Sequence, residues 1–275
     1  MGVVNVTPDS FSDGGIDLNA ESAIAHGLRM TADGAALIDV GGESTRPGSE
    51  PVPAAVEIDR VVPVVRGLVE EGIVVSVDTS KTEVAEAALR SGAHVVNDVT
   101  ACRADGMAQL VADAQCGVVL MHMKGTPLTM QFAPRYGDVV AEVESFLLDR
   151  AASVVGTGAD PSRIVLDPGF GFGKTAEHNM TLLRSVPRLA SHAFPLMLGT
   201  SRKRFLDSLD GDKTPLDRDS ATAKTTSTGF IDGARVFRVH NVEASRRALA
   251  VAAATVAHQQ WDEWSQDSNR GDSRG

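Results

Sequence analysis

Cysteine is almost missing from this chain of 275 residues: only Cys102 and Cys116 occur, too far apart for a C-x-x-C pair. No positively charged stretch followed by a short apolar run marks a secretory leader, and a reduced, cytoplasmic protein with buried thiols is expected. No uninterrupted apolar run approaches the ~20 residues that span a bilayer, so membrane insertion is not expected. Positive charge is also short. Twenty-six Lys and Arg against 36 Asp and Glu leave a net charge of -10 and a pI near 5.1, opposite to the footprint of a nucleic-acid binder. Any anion site must therefore be local. No H-E-x-x-H or similarly spaced ligand set is present, which argues against a tightly held zinc.

What is present is a repeat of strand and helix signals. The chain is longer than an average domain, but barrel folds often occupy this length as one unit. Short β-rich runs end near Asn5, Asp39, Asp78, Asn97, His122, Asp167, Gly199 and His240. Helical spacing fills the intervals, as in "AESAIAHGLRMTADG", "VEIDRVVPVVRGLVEEG", "KTEVAEAALRSG" and "AEVESFLLDRAASVVG". The pattern predicts an α/β fold, a single (β/α)8 TIM barrel over 1–258 with its active site at the C-terminal ends of the strands; a doubly wound open sheet is the alternative. The segment 259–275, "QQWDEWSQDSNRGDSRG", is polar, loses its helical period after Trp264, and reads as a disordered tail. Its "RGDS" reads as chance, since no secretory segment accompanies it.

The strand ends carry more than turn formers. Asn, Asp and Gly favour turns, but His122, Lys203, Arg238 and His240 do not and need another reason to be there. "DPGFGFGKT" is not a phosphate loop, because Pro168 stands where the first glycine of G-x-x-x-x-G-K-[ST] belongs. It also fails the dinucleotide fingerprint. It is a glycine-rich loop after a carboxylate, from which Phe170 serves the core or a pocket and Phe172 lines a pocket for a flat ligand. "GTSRKRF" puts Arg202 and Lys203 at a strand end, where an anionic or electron-rich ligand would need them. In "VFRVH" the alternation points Arg238 and His240 one way and Phe237 and Val239 the other. The first two suit a phosphate or diphosphate. Asp78, Asp167 and Asn97 come from three strands; the carboxylates form either a general acid/base pair or an acceptor-rich edge for a heterocycle with adjacent N–H groups.

Taken together, "MGVVNVTPDSFSDGG", "IDVGGESTRPG", "VSVDT", "NDV", "LMHMKGTP", "LDPGFGFGKT", "SRKRF" and "FRVH" follow one another from Met1 to about His240. In that order they resemble the dihydropteroate synthase family, the folate-pathway enzymes that sulfonamides inhibit. The resemblance implies a (β/α)8 barrel that condenses 6-hydroxymethyl-7,8-dihydropterin pyrophosphate with 4-aminobenzoate, with Mg2+, giving 7,8-dihydropteroate and pyrophosphate. It implies that Asp78, Asn97, Asp167 and Lys203 hold the pterin. Asn5, Arg238 and His240 would hold pyrophosphate, with Asn5 also on the metal. Thr45, Arg46, Pro47, Phe172 and Ser201 would form the aminobenzoate side. The catalytic set is then Lys203, Arg238 and His240. The loop from Asn5 through Asp9, Ser10, Ser12 and Asp13 to Gly14 and Gly15 would be a mobile lid.

The family also implies a homodimer, built on an Ala/Leu-rich seventh helix. Here 220–233 departs from that pattern, with threonines among Lys224, Ser227 and Gly229 that lower helix propensity and thin the apolar stripe. A corrinoid-linked methyltransferase barrel would share the acidic pocket but lack the "SRK" and lid motifs. A pterin binder without catalysis would not need Asn5, Arg238 and His240 together.

Overall fold

The computed structural model describes residues 1–7, 16–207, 214 and 216–271. The lid positions Asp9, Ser10, Ser12, Asp13, Gly14 and Gly15 lie outside the described residues. Among the described residues eight parallel strands alternate with helices: β1 (Gly2–Asn5), α1 (Ile16–Ala32), β2 (Ile38–Gly41), α2 (Ala54–Glu70), β3 (Val75–Asp78), α3 (Thr82–Arg90), β4 (Val95–Asp98) and α4 (Met107–Ala114). There follow β5 (Gly117–Met121), α5 (Val139–Gly156), β6 (Ile164–Asp167), α6 (Ala176–Arg184), β7 (Met197–Leu198), α7 (Asp219–Ile231), β8 (Val236–Phe237) and α8 (Val242–Gly271).

The strands close on themselves, which decides between barrel and open sheet. β1 to β6 form one run of parallel pairs and β7 pairs with β8. Leu166 N donates to Pro195 O (2.9 Å) across one seam; Val3 N to Val239 O (3.1 Å) and Val239 N to Met1 O (2.9 Å) close the other. All strands run the same way, so their C-terminal ends share one rim.

Strand alternation then divides the side chains. Val4, Ile38, Val40, Val75, Val77, Val96, Val118, Leu120, Ile164 and Leu166 join the apolar layer under the helices. The neighbouring positions in each strand, Asp39, Ser76, Asp78, Asn97 and Asp167 among them, face the barrel axis. Register sets Asn5 beside Gly41, Gly41 beside Asp78, and Asp78 beside Asn97. Four strands thus deliver these residues at one height.

The segment 220–233 does form its helix. Thr222 and Thr226 return their hydroxyls to carbonyls four residues back, Arg218 O (2.8 Å) and Thr222 O (2.9 Å), while Thr225 reaches Thr200 Oγ1 (2.8 Å) on the strand side. The polar inner face is thereby satisfied and buried rather than left as a break in the helix. α8 continues as helix to Gly271, past residue 258, where the sequence pattern ends the barrel and starts a disordered tail. A helix already nucleated by packing is extended at only the propensity cost of each added residue, so a fading apolar period does not stop it. Among the described residues no helix is long and apolar enough to cross a membrane.

Gly229 lets α7 lie against β7. A Cβ there would collide with Leu198 Cδ1 and sit 3.4 Å from Phe237 Cε1, both in the core. Gly229→Ala is expected to cost about 1–3 kcal/mol by overpacking, outweighing alanine's better helix propensity. The urea midpoint reads this; a midpoint equal to or above that of the parent protein would show that α7 is not held that close.

Candidate active site

At the shared rim, Arg238 is held between two carboxylates. Its Nε donates to Asp39 Oδ2 (2.6 Å) and its Nη2 to Asp78 Oδ2 (2.7 Å), while Asn97 Nδ2 donates to Asp39 Oδ2 (3.0 Å). Residues of β2, β3 and β4 and the residue following β8 meet inside the barrel. Asp39 is fully buried and Arg238 is 22% exposed. Burial pushes the Asp78 carboxyl above the ordinary range although Arg238 opposes it, and the two aspartates hold Arg238 firmly protonated. Oδ1 of Asp39 and Oδ1 of Asp78 are buried and find no partner among the described residues. Two acceptors are thus left in a place where an unmet acceptor is costly.

Asp167, at the end of β6, is also buried. Its Oδ1 accepts Gly169 N (2.7 Å), and burial raises its pKa, with Lys203 as the strongest opposing charge. Lys203 Nζ lies 4.5 Å from the centre of the Phe172 ring and donates to Phe170 O. Burial lowers it to about 8, with Asp167 opposing. Phe170 is a core anchor, fully buried and stacked on Phe205 at 5.9 Å, whereas Phe172 is only partly covered. Arg202 does not share the pocket with Lys203. It forms a bidentate pair with Asp219 (2.7 and 2.9 Å), because a left-handed backbone at Arg202 (φ 59) turns its side chain toward the start of α7.

Ser201 and His240 form a doubly hydrogen-bonded pair. Ser201 Oγ accepts His240 N (3.1 Å) and shares a second hydrogen bond with His240 Nδ1 (3.0 Å), whose donor is set by the imidazole tautomer. Burial, followed by Arg238, lowers the His240 pKa to about 3, so the imidazole is neutral. Phe237 and Val239 belong to the apolar layer, as the alternation of "VFRVH" requires.

The remaining expected residues lie at the rim but outside this network. Asn5 is half-buried at the end of β1. Thr45, Arg46 and Pro47 ride on a loop that Glu43 ties down by accepting Val52 N (2.7 Å) and Lys81 Nζ (2.6 Å). The same loop touches the connection after β5 through Gly48 N and Pro127 O (3.0 Å). Arg46 is exposed, yet close enough to be among the cations that depress His240. Among the described residues no group of three or more His, Cys, Asp or Glu side chains could hold a metal ion.

Two buried charged positions join the site that no sequence motif marks. Asp39 is a lone carboxylate inside the apolar run "ALIDV", expensive to bury without a partner, and that cost is the signal for it in the sequence. Lys174 ends a stretch that fails as a phosphate loop; it is buried and, among the described residues, has no carboxylate in hydrogen-bond contact.

Pterin-binding enzymes match the chain over residues 1–240. The dihydropteroate synthase of Mycobacterium leprae is 49% identical over 261 residues, covering 92% of each chain. That of Escherichia coli K12 is 41% identical over 258 residues, covering 94% of this chain and 91% of the relative. The chain belongs to the dihydropteroate synthases. Among solved members, Xanthomonas albilineans dihydropteroate synthase with 4-aminobenzoic acid superposes with a TM-score of 0.88 at 46% identity, covering 94% of this chain and 92% of that one. The Yersinia pestis synthase in a sulfonamide complex gives 0.88 at 40% identity, covering 94% of each chain. Membership in the synthases makes the chain an enzyme, a transferase of folate synthesis, and agrees with the barrel found here.

Two outcomes are expected from this synthase. Lys203 is charged below about 8 and neutral above, so if its ammonium meets substrate, kcat/KM for the pterin substrate in dihydropteroate formation falls as pH rises through about 8. In Lys203→Arg, whose guanidinium keeps its charge, that limb disappears; its persistence at the same pH would assign it to another group. Asp39→Asn removes one of the two carboxylates around Arg238 and should lower stability by about 2–3 kcal/mol, short of the full cost of a stranded buried charge because Asp78 remains. Urea unfolding checks this, and an unchanged midpoint would show that the pair adds nothing.

Proposed function

We propose that this chain joins 4-aminobenzoate to 6-hydroxymethyl-7,8-dihydropterin pyrophosphate in the cytoplasm, forming 7,8-dihydropteroate and releasing pyrophosphate. The observation that carries the reading is the set of buried acceptors and donors at one rim: Asp78, Asn97 and Asp167 with Lys203 beside them. An aminopyrimidinone ring presents adjacent N–H donors and one carbonyl, and carboxylates with open oxygens answer the first while an ammonium answers the second. The aspartates act here as ring ligands rather than as an acid/base pair. Asp167 is buried and Asp78 nearly so, and the ring's donors would meet oxygens that few other donors reach.

The pyrophosphate lies toward Asn5, Arg238 and His240. Arg238 commits Nε and Nη2 to Asp39 and Asp78, and Nη1 remains to donate to a phosphate oxygen. His240 is neutral, and with Nδ1 accepting from Ser201 its Nε2–H would donate to a phosphate oxygen. Asn5 supplies an amide oxygen suited to Mg2+, an ion that keeps waters and substrate phosphates and takes few protein ligands. Bound there, Mg2+ would neutralise charge on the leaving group. The electron-rich pterin tolerates positive character at its methylene carbon, and the arylamine attacks that carbon as the C–O bond to pyrophosphate breaks. Phe172, Ser201, Thr45, Arg46 and Pro47 would orient the arylamine, Phe172 as a flat wall against its ring. No covalent enzyme intermediate is needed. The outer faces of α7 and α8, where Ile231 and Val251 are exposed, would carry a homodimer contact.

The deciding experiment is pyrophosphate release by the purified protein with the dihydropterin pyrophosphate and Mg2+, with and without 4-aminobenzoate. Release that requires 4-aminobenzoate and accompanies dihydropteroate is the expected result; pterin binding without turnover would overturn it. Arg238→Ala should lower turnover by about 10²–10³, the effect of removing one preorganised donor, and a near-parental rate would remove Arg238 from the reacting site.

A further inference from the structure

The loop between Asp167 and Lys174 has every carbonyl from residue 169 to 173 met by a side-chain donor. Gly169 O and Phe172 O accept Lys174 Nζ (2.9 and 3.0 Å). Phe170 O accepts Lys203 Nζ, Gly171 O accepts Gln131 Nε2 (2.8 Å) and Gly173 O accepts Tyr136 Oη (2.8 Å). Gly169, Gly171 and Gly173 all have positive φ (67, 81 and 64°). A Cβ on Gly169 would strike His122 O, and one on Gly173 would strike Lys124 O. The loop is therefore pressed against the connection after β5 and pinned from two sides, by Lys203 at the pocket and by Lys174 beneath.

Lys174 is an expensive pin. It is 3% exposed, its other contacts are His122 Nδ1 (2.9 Å) and His122 O (3.3 Å), and among the described residues no carboxylate hydrogen-bonds to it. Three carbonyl oxygens and one imidazole nitrogen converge on an ammonium with three N–H groups, so every contact favours the charged form. Burial nevertheless pulls Lys174 well below a lysine's ordinary range, Asp167 opposing, and burial together with Lys174 lowers His122 to about 3, leaving the imidazole free to accept. Burial also raises the Tyr136 phenol, which keeps its proton for Gly173 O. Holding a turn by itself needs only an amide or a water. A buried charge at this cost is expected where position matters to function.

We propose that Lys174, with Tyr136, is a positioning residue for the transfer reaction: together they hold the Gly169–Gly173 loop so that Phe172 keeps its face toward Lys203 and the arylamine when substrate draws Lys203 away from Phe170 O. The proposal rests on the assignment of Phe172 and Lys203 to the substrate pocket. Without substrate, Lys203 helps fix the loop; with substrate, Lys174, Tyr136 and Gln131 carry it.

The test compares Lys174→Met, Tyr136→Phe and Lys203→Ala with the parent enzyme, measuring kcat and both KM values and checking folding by circular dichroism. Lys174→Met is expected to raise KM for 4-aminobenzoate about tenfold or more while KM for the pterin substrate changes less, as for lost orientation at one subsite. Tyr136→Phe, which removes one hydroxyl and keeps the ring packing, is expected to raise the same KM about threefold with kcat nearly unchanged. If Lys203→Ala is indistinguishable from the parent, the pocket assignment fails and the proposal with it. If Lys203→Ala is impaired but folded Lys174→Met keeps both KM values within about twofold, the positioning role alone is overturned. Should Lys174→Met not fold, Tyr136→Phe decides: an unchanged KM for 4-aminobenzoate overturns the proposal.

Discussion

One guanidinium between two buried carboxylates organises the site. Arg238 joins the end of β8 to β2 and β3, and Asn97 adds β4 through Asp39. A charge inside a barrel cannot be left alone, since its desolvation would cost more than most single interactions return. The pairing therefore does two things. It ties together strands that are distant in sequence, across the seam where the barrel closes, and it orients Asp78 so that one oxygen is used and the other left open. The second oxygens of Asp39 and Asp78 are buried and have no partner among the described residues, so the framework itself leaves them unused.

The second constraint is charge balance in a protein that is acidic overall. Three carboxylates, Asp39, Asp78 and Asp167, share the rim with Arg238 and Lys203, and a third cation, Lys174, lies beneath the glycine loop within electrostatic range of Asp167. The cluster is close to neutral before substrate arrives, so an anion is held by which donors face it and not by an excess of positive charge. His240 is kept neutral by burial and by Arg238, and so adds no charge. Among the cations, Arg238 is locked to its carboxylates, Lys174 is sunk beneath the loop, and Lys203 alone is held by a backbone oxygen and the face of a ring, contacts a substrate can replace.

Much of this was legible in the residues. The strand ends Asn5, Asp78, Asn97, Asp167, Gly199 and His240 mark the rim because a parallel strand buried on both faces runs apolar until the chain must turn. The alternation in "VFRVH" separated Arg238 and His240 from the core. Other features were not legible because they depend on contacts made across the barrel. Arg202 and Lys203 are adjacent cations in one turn, and only the left-handed backbone at Arg202 sends one to Asp219 and the other to the pocket. Threonines that weaken an isolated helix become its buried inner face once α7 lies on Thr200 and α8. Asp39 and Lys174 were passed over because their partners lie 199 and 52 residues away in the chain.

The glycine loop is held by groups from outside itself. Five consecutive carbonyls need five donors, and those donors come from β5's connection, from β7's connection and from the loop's own end. The loop is glycine-rich because residues 169, 171 and 173 all have positive φ, and because Gly169 and Gly173 press against the carbonyls of His122 and Lys124 while Gly171 lies against the Lys203 side chain. The arrangement links two neighbouring connections of the barrel to the wall that a flat substrate would meet. Substrate that takes Lys203 away from Phe170 O then breaks one of the five contacts and leaves four. The geometry of the wall in the working state is accordingly set from beneath, by groups the substrate never touches.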